Sequence, residues 1–141
     1  AQHLGAIRMV TVAARDHALR AEPPPISAER LAEEVQIVLS ERAIEAETPD
    51  QAVLSPRTWR VHDLATKRAL LLEGLGWGNM PESLVAADLA AGTLRKIQPA
   101  PWPPDGMMLT LSVVMRPDMA LGPAAAWLLE RLQGGCGVSK L

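Results

Sequence analysis

Few side chains in this sequence have a reactive group, and their spacing does not favour catalysis. The histidines are His3, His17 and His62, and the single cysteine is Cys136. They form neither a helical i, i+4 pair nor a Cys-x-x-Cys motif, so no metal site is predicted. A catalytic Cys–His pair would depend on Cys136, which lies in a glycine-rich tail of the kind that is usually mobile. We therefore predict no enzyme activity, no cofactor and no metal.

A glycine-rich block, Gly74-Leu75-Gly76-Trp77-Gly78, invites comparison with a phosphate-binding loop. A dinucleotide-binding fingerprint requires a strand, then G-x-G-x-x-G, then a helix. Here the glycines follow a predicted helix, their spacing is G-x-G-x-G, and no Lys-Ser/Thr pair follows. The block is therefore predicted to end a helix and turn sharply into a short strand.

The segment Val61-His62-Asp63 has more functional interest, because a predicted strand ends there and a predicted helix begins. In open α/β sheets, ligands bind beyond the carboxyl ends of the strands, where the free N–H groups of helix N-termini attract anions. Two interpretations stay open at this point. Either the turn lines a ligand cleft, or Asp63 is an ordinary helix cap beside a surface histidine.

The elements that must position this turn alternate between strands and helices, which is typical of an α/β layer fold. Strands are predicted over Ile7–Ala13, Val35–Leu39, Thr58–Val61, Leu75–Pro81, Leu94–Ile97 and Met108–Met115. Helices are predicted from Ser27 to Glu34, Asp63 to Glu73, Pro81 to Gly92 and Pro123 to Gln133. Ser27 and Asp63 are expected N-caps, Gly74 is an expected left-handed helix end, and Gly92 is expected to end the helix that begins at Pro81.

Composition fits one domain and excludes several classes of function. The chain has 141 residues, of which 48% are apolar, and its formal net charge is -2. This balance offers no basic surface for nucleic acid. No apolar run is long enough to span a membrane, and no secretory signal is visible. One cysteine favours a reducing compartment, and the missing initiator Met suggests a piece of a longer protein.

Three blocks at matching spacing resemble the effector-binding domain of LysR-type transcriptional regulators. The blocks are Trp59–Asp63, Leu70–Pro81 and Leu84–Leu94. The family pattern is an apolar helix followed by aGlGia.lP and then by lv...l..G.Lv.l. Val10–Leu19 is similar to the family segment lvas.dHpLa, with Ala18 in place of the usual proline. Leu111–Pro117 and Leu121–Leu132 look like the family's return strand and closing helix, so the resemblance extends to about Gln133.

The resemblance implies a cytoplasmic regulator with an N-terminal winged helix-turn-helix and an effector domain like a type 2 periplasmic binding protein. Such a domain has two α/β subdomains, joined by crossover strands, with a small molecule between them. The chain matches mainly the second, Rossmann-like subdomain. Residues 1–12 would form a crossover, 13–112 the second subdomain, 113–133 the return crossover and closing helix, and 134–141 a flexible tail. DNA contact is implied only for the missing N-terminal domain.

Residue roles also follow from the resemblance. The predicted effector-binding residues are Val61, His62, Asp63 and Trp77, and the predicted hinge residues are Val10, Val12, Val114 and Arg116. Trp77 stands where smaller apolar residues are common, and it fills either the cleft floor or the core. The expected effector is a small molecule, with carboxylates among the candidates. Its binding would favour one arrangement of the two subdomains.

Two alternatives and one corollary remain. The same fold occurs in the second lobe of a transporter's solute-binding protein, and an α/β enzyme fragment is a further alternative.

The closing helix would normally pack on a subdomain that is missing here. Its apolar side chains need another cover, so a homo-oligomer without membrane contact is predicted. These side chains are Trp127, Leu128, Leu129 and Leu132.

Overall fold

A computed structural model describes residues 2–40 and 52–134 of the chain. Cys136 and nearly all of the predicted flexible tail 134–141 lie outside the described residues. The strands are β1 (Gln2–Ala14), β2 (Gln36–Leu39), β3 (Thr58–Val61), β4 (Trp77–Pro81), β5 (Leu94–Lys96) and β6 (Met107–Val113). The helices are α1 (Ala28–Ala32), α2 (Leu64–Leu72), α3 (Glu82–Ala91) and α4 (Pro123–Gln133), with a 3₁₀ helix over Ala18–Ala21.

The chain forms two compact units. The larger unit is Met9–Met107, and the smaller one consists of Ala1–Arg8 and Met108–Leu141. Strand β1 contributes residues to both units.

The sheet of the larger unit has the strand order β3-β2-β4-β1-β5. Strands β2, β3 and β4 are parallel, whereas β1 runs antiparallel to both β4 and β5. Strand β3 is joined to the parallel strand β4 through helix α2, because a connection between parallel strands needs a crossover. The carboxyl ends of β2, β3 and β4 therefore share one edge of the sheet.

Both faces of this sheet are covered by apolar cores, which confirms the α/β prediction. Alternation along β1 sends Val10 and Val12 to one face and Ala13 to the other. The first core lies under α2 and α3 and is formed by Val10, Val12, Ile37, Leu71, Met80, Val85 and Leu94. The second core faces the 3₁₀ helix and α1 and is formed by Ala13, Leu19, Ile26, Leu31 and Trp77.

Helix ends follow their predicted signals. The Ser27 hydroxyl accepts a hydrogen bond from the Arg30 N–H at 3.2 Å, as expected of an N-cap. Gly74 and Gly92 have φ angles of +77° and +79°, in the left-handed region that glycine adopts without strain. Pro81 was predicted to be the first residue of the helix, but in the structure it is the N-cap of α3, which begins at Glu82.

Leucine side chains determine the buried face of α2. Ala65 and Ala69 are both exposed, whereas Lys67 and Leu71 are buried. Alanine contributes little apolar area, so the larger leucine side chains decide which face of the helix turns to the sheet.

The buried face of α3 includes one charged residue. Leu84 is 49% exposed, whereas Val85 and Asp88 are buried. The Asp88 carboxylate accepts two hydrogen bonds from the Arg68 guanidinium of α2, at 2.7 and 2.8 Å. This bidentate ion pair fixes the side of α3 that faces α2.

The 3₁₀ helix, which was not among the predicted helices, is capped by His17. The Nδ1 atom of His17 accepts a hydrogen bond from the Leu19 N–H at 3.1 Å. Burial lowers the pKa of His17 below its ordinary value, partly opposed by the nearby Glu34 carboxylate. The ring is therefore neutral at pH 7, which leaves Nδ1 free to accept.

In the smaller unit, β6 pairs with β1, and the Ser112 hydroxyl lies 3.2 Å from the His3 Nδ1. Helix α4 has the bounds that the sequence predicted. Its large apolar side chains are uncovered within the chain, with Trp127 60% exposed and Leu128 52% exposed. Across the described residues, no helix has the length and apolar composition that crossing a bilayer requires.

Candidate effector site

The carboxyl ends of β2 and β3 are joined by a backbone hydrogen bond, since the Ser40 N–H donates to the Val61 carbonyl at 2.7 Å. Strand β3 leads through a short turn into α2, and β4 leads directly into α3. The N-termini of both helices therefore lie at the same edge of the sheet. This edge is where an α/β sheet offers N–H groups and partial positive charge to a ligand.

The predicted turn lies at this edge, but its residues have different surroundings. Val61 pairs with Leu39 and packs against the first core, so its side chain is half-buried. His62 is exposed. The turn thus presents His62 to solvent while Val61 attaches it to the sheet.

Asp63 caps α2, as the sequence predicted. Its Oδ1 accepts a hydrogen bond from the Thr66 N–H at 2.7 Å, and its Oδ2 accepts one from the Thr66 hydroxyl at 2.8 Å. These hydrogen bonds hold the pKa of Asp63 below its ordinary value. The carboxylate is therefore ionised at neutral pH, and both of its oxygens are already engaged.

Trp77 belongs to the core in this structure. Its side chain is 0% exposed, and its Nε1–H donates to the Leu31 carbonyl at 3.2 Å. The Trp102 ring lies 6.1 Å away, centroid to centroid. Of the two alternatives that the sequence left open, the structure shows the core position, because a ligand has no exposed indole surface to contact.

The N-terminus of α3 has no side-chain cap, because Pro81 occupies the N-cap position. Glu82, in the first turn, is 2.9 Å from the Lys96 ammonium group. Their opposite charges compensate each other, so the backbone N–H groups of this turn keep their partial positive charge.

Sequence reasoning missed three polar residues near this edge. The Thr11 hydroxyl donates to the Asn79 Oδ1 at 2.7 Å, and both residues are 7% exposed. Arg60 lies on β3, where it pairs with Val38 of β2. A signal was present in the sequence, since Thr11 interrupts two valines and Asn79 stands in an otherwise apolar strand.

The predicted hinge residues lie in two settings. Val10 and Val12 are buried in the β1 ladder, opposite Met80 and Gly78. Val114 follows β6 and is 80% exposed, and Arg116 pairs with Asp118 at 2.9 Å. A hinge role for these residues stays a prediction.

In the part of the chain that the structure describes, no three His, Cys, Asp or Glu side chains cluster as metal ligands.

Comparison with known proteins decides the family. The model of the LysR substrate-binding domain matches residues 1–137. The chain belongs to this family. As a LysR substrate-binding domain, it has the periplasmic-binding-protein-like fold that the sequence predicted.

Sequence relatives of this LysR domain are transcriptional regulators. The probable HTH-type transcriptional regulator YhaJ of Escherichia coli K12 is 31% identical over 125 residues, which cover 87% of this chain and 40% of YhaJ. The chain thus spans about 40% of the length of the curated relatives that it matches. The family match and these relatives leave the transporter-lobe alternative without support.

Solved structures share the fold. ArgP from Mycobacterium tuberculosis has a TM-score of 0.63 and 20% identity, over 99% of this LysR domain and 47% of ArgP. The effector-binding domain of QuiR in complex with shikimate has a TM-score of 0.58 and 16% identity, over 94% of this chain and 63% of the QuiR chain.

Proposed function

We propose that this LysR domain binds its effector at the edge formed by the carboxyl ends of β2, β3 and β4. The observation that carries this proposal is that α2 and α3 both begin there, one capped by Asp63 and the other without a side-chain cap. His62 is exposed on the connecting turn and supplies a hydrogen-bonding group. The reaction type is reversible binding without covalent chemistry.

We further propose that the effector is a small carboxylate. Helix N-termini favour anions, and the two ionised carboxylates at this edge are already partnered, Asp63 by Thr66 and Glu82 by Lys96. The QuiR relative holds shikimate, which is a hydroxylated carboxylate. An acid of this kind would supply the negative charge that the N-termini of α2 and α3 favour at this edge.

An NMR titration of the whole chain with benzoate and shikimate tests the site. We expect the largest amide shift changes at the first turns of α2 and α3, near Asp63 and Glu82. Benzamide, the neutral counterpart of benzoate, should give much smaller changes at equal concentration. Changes confined to the opposite edge of the sheet, around His17, would contradict the proposal.

The proposed role of binding is to bias a conformational equilibrium that a DNA-binding domain of the whole protein senses in the cytoplasm. The bias can be no larger than the difference in the effector's affinity for the two conformations. The coupling is measured as the change in DNA affinity of the whole protein when the effector is added. An unchanged affinity under saturating effector would contradict it.

We also propose that the chain self-associates through α4, whose apolar face is uncovered within the chain. Leu128 and Leu132 lie one helical turn apart on this helix, and replacing both with Glu should reduce the association. Light scattering over a concentration series measures the mass. A wild-type chain that stays monomeric at high concentration, or a variant that associates equally, would contradict this prediction.

A further inference from the structure

Thr11 and Asn79 form a polar pair in the middle of the sheet. They face each other across β1 and β4, in register, and the Thr11 hydroxyl donates to the Asn79 Oδ1 at 2.7 Å. Both are more than nine-tenths buried, among apolar strand residues. A buried amide is costly unless its hydrogen-bonding groups are used, so this pair needs an explanation.

The side-chain amide of Asn79 makes only one of its possible hydrogen bonds to the described residues. Thr11 occupies Oδ1, and no described residue accepts a hydrogen bond from Nδ2. In the described part of the chain, every side-chain polar atom that is sealed from solvent has a partner. The Nδ2 group therefore still reaches solvent, and its two N–H donors are available to a ligand.

Asn79 shares a row of the sheet with a cation. Gln36 pairs with Trp77, so Val38, two residues further on, lies beside Asn79. Val38 also pairs with Arg60 on its other side. Because paired residues of neighbouring strands point to the same face, Arg60, Val38, Asn79 and Thr11 form one row across β3, β2, β4 and β1.

The row places charge, apolar surface and a directional donor side by side. Two strand spacings of about 4.8 Å separate the Cα atoms of Arg60 and Asn79 by about 10 Å. Arg60 is exposed, and no carboxylate among the described residues pairs with it. Val38 is buried between them and provides the apolar surface.

We infer that Asn79 and Arg60 recognise the acid group of the effector and are its specificity-determining residues. The inference rests on the proposed effector site at this edge of the sheet. Asn79 donates an N–H to one carboxylate oxygen, and Arg60 donates to the other and balances its charge. Thr11 is a positioning residue, because its hydroxyl fixes the orientation of the amide. The effector class is a compact carboxylate with an apolar body that packs over Val38.

The test uses the whole chain, benzoate as the probe and NMR as the readout. We expect benzoate to shift the side-chain NH₂ resonances of Asn79 and the Nε–H resonance of Arg60, whereas benzamide shifts neither. Arg60→Gln should weaken benzoate binding at least about tenfold, since it removes a charge-assisted hydrogen bond to the carboxylate. Arg57→Gln is the matched control, because Arg57 is exposed just before β3, at the opposite end of that strand, and its loss should leave the affinity unchanged.

Two substitutions of Thr11 distinguish a positioning role from an effect on folding. Thr11→Val keeps the shape but loses the hydroxyl, so we expect a weaker benzoate affinity and a broadened Asn79 NH₂ signal. Thr11→Ser keeps the hydroxyl and should restore both. If Thr11→Val and Thr11→Ser weaken binding equally, the positioning role is wrong.

The outcomes distinguish this inference from the proposed function. If benzoate shifts the first turns of α2 and α3 while Arg60→Gln binds as tightly as Arg57→Gln, the inference is overturned and the effector site stands. If the edge binds benzamide as well as benzoate, recognition of the acid group is again overturned. If no probe perturbs this edge, the proposed site and the inference are both overturned.

Discussion

Replacing Gly76 with alanine should destabilise the larger unit by about 3 kcal/mol, the upper end of what overpacking usually costs. A Cβ atom at this position would lie 2.5 Å from the Val35 carbonyl oxygen, and 3.2 Å from the Ile37 Cγ1. The Val35 carbonyl cannot easily move, because it accepts a hydrogen bond from the Trp77 N–H at 3.0 Å. Urea unfolding followed by circular dichroism measures the loss in free energy of unfolding.

Two glycines provide controls for this substitution. Gly122→Ala meets no atom within 4 Å and should change stability only slightly. Gly92→Ala also meets no atom within 4 Å, but its φ of +79° adds about 1 kcal/mol of backbone strain. If Gly76→Ala lowers the free energy of unfolding no more than Gly92→Ala does, the short distance between Gly76 and the Val35 carbonyl does not prevent a larger side chain at position 76.

Replacing Trp77 with alanine should cost about 3–5 kcal/mol, the range for removing a large aromatic side chain from a core. Trp77 has no exposed surface and packs among Ala13, Leu19, Ile26 and Leu31. The substitution leaves a cavity between the sheet and α1 and removes the hydrogen bond to the Leu31 carbonyl. Thermal unfolding and urea unfolding should both show the loss.

Trp59 is the matched control, because it is the same residue type on β3 and is 47% exposed. Trp59→Ala should change the free energy of unfolding by less than about 0.5 kcal/mol, as surface substitutions usually do. A similar loss for both variants would show that Trp77 contributes no more to the core than a surface residue.

Local signals in the sequence predicted the elements well. Ser27 and Asp63 cap their helices, and Gly92 ends α3 in the left-handed conformation. Strand β3 and helix α4 have the predicted bounds. These features depend on one residue and its near neighbours, so the sequence contains the information that specifies them. The 3₁₀ helix was missed because its cap is a histidine, a residue that is not a usual N-cap.

Long-range pairs explain what the sequence did not predict. Arg68 and Asp88 are twenty residues apart, and their contact turns the Asp88 side of α3 towards α2. The row containing Arg60 and Asn79 depends on the registers of β2 with two other strands, which no local pattern specifies. The turn at Val61–Asp63 was predicted in place because strand ends and helix caps are local. The polar residues beside it became visible only with the sheet.

The two outermost strands of the sheet in the larger unit affect how the protein behaves at high concentration. The outermost strands β3 and β5 have four and three residues, and each exposes arginine or lysine. Short, basic borders offer little template for backbone pairing with another chain, which is the step that starts fibrils. Concentrated solutions of this chain should therefore form reversible assemblies through side-chain surfaces and resist conversion to amyloid.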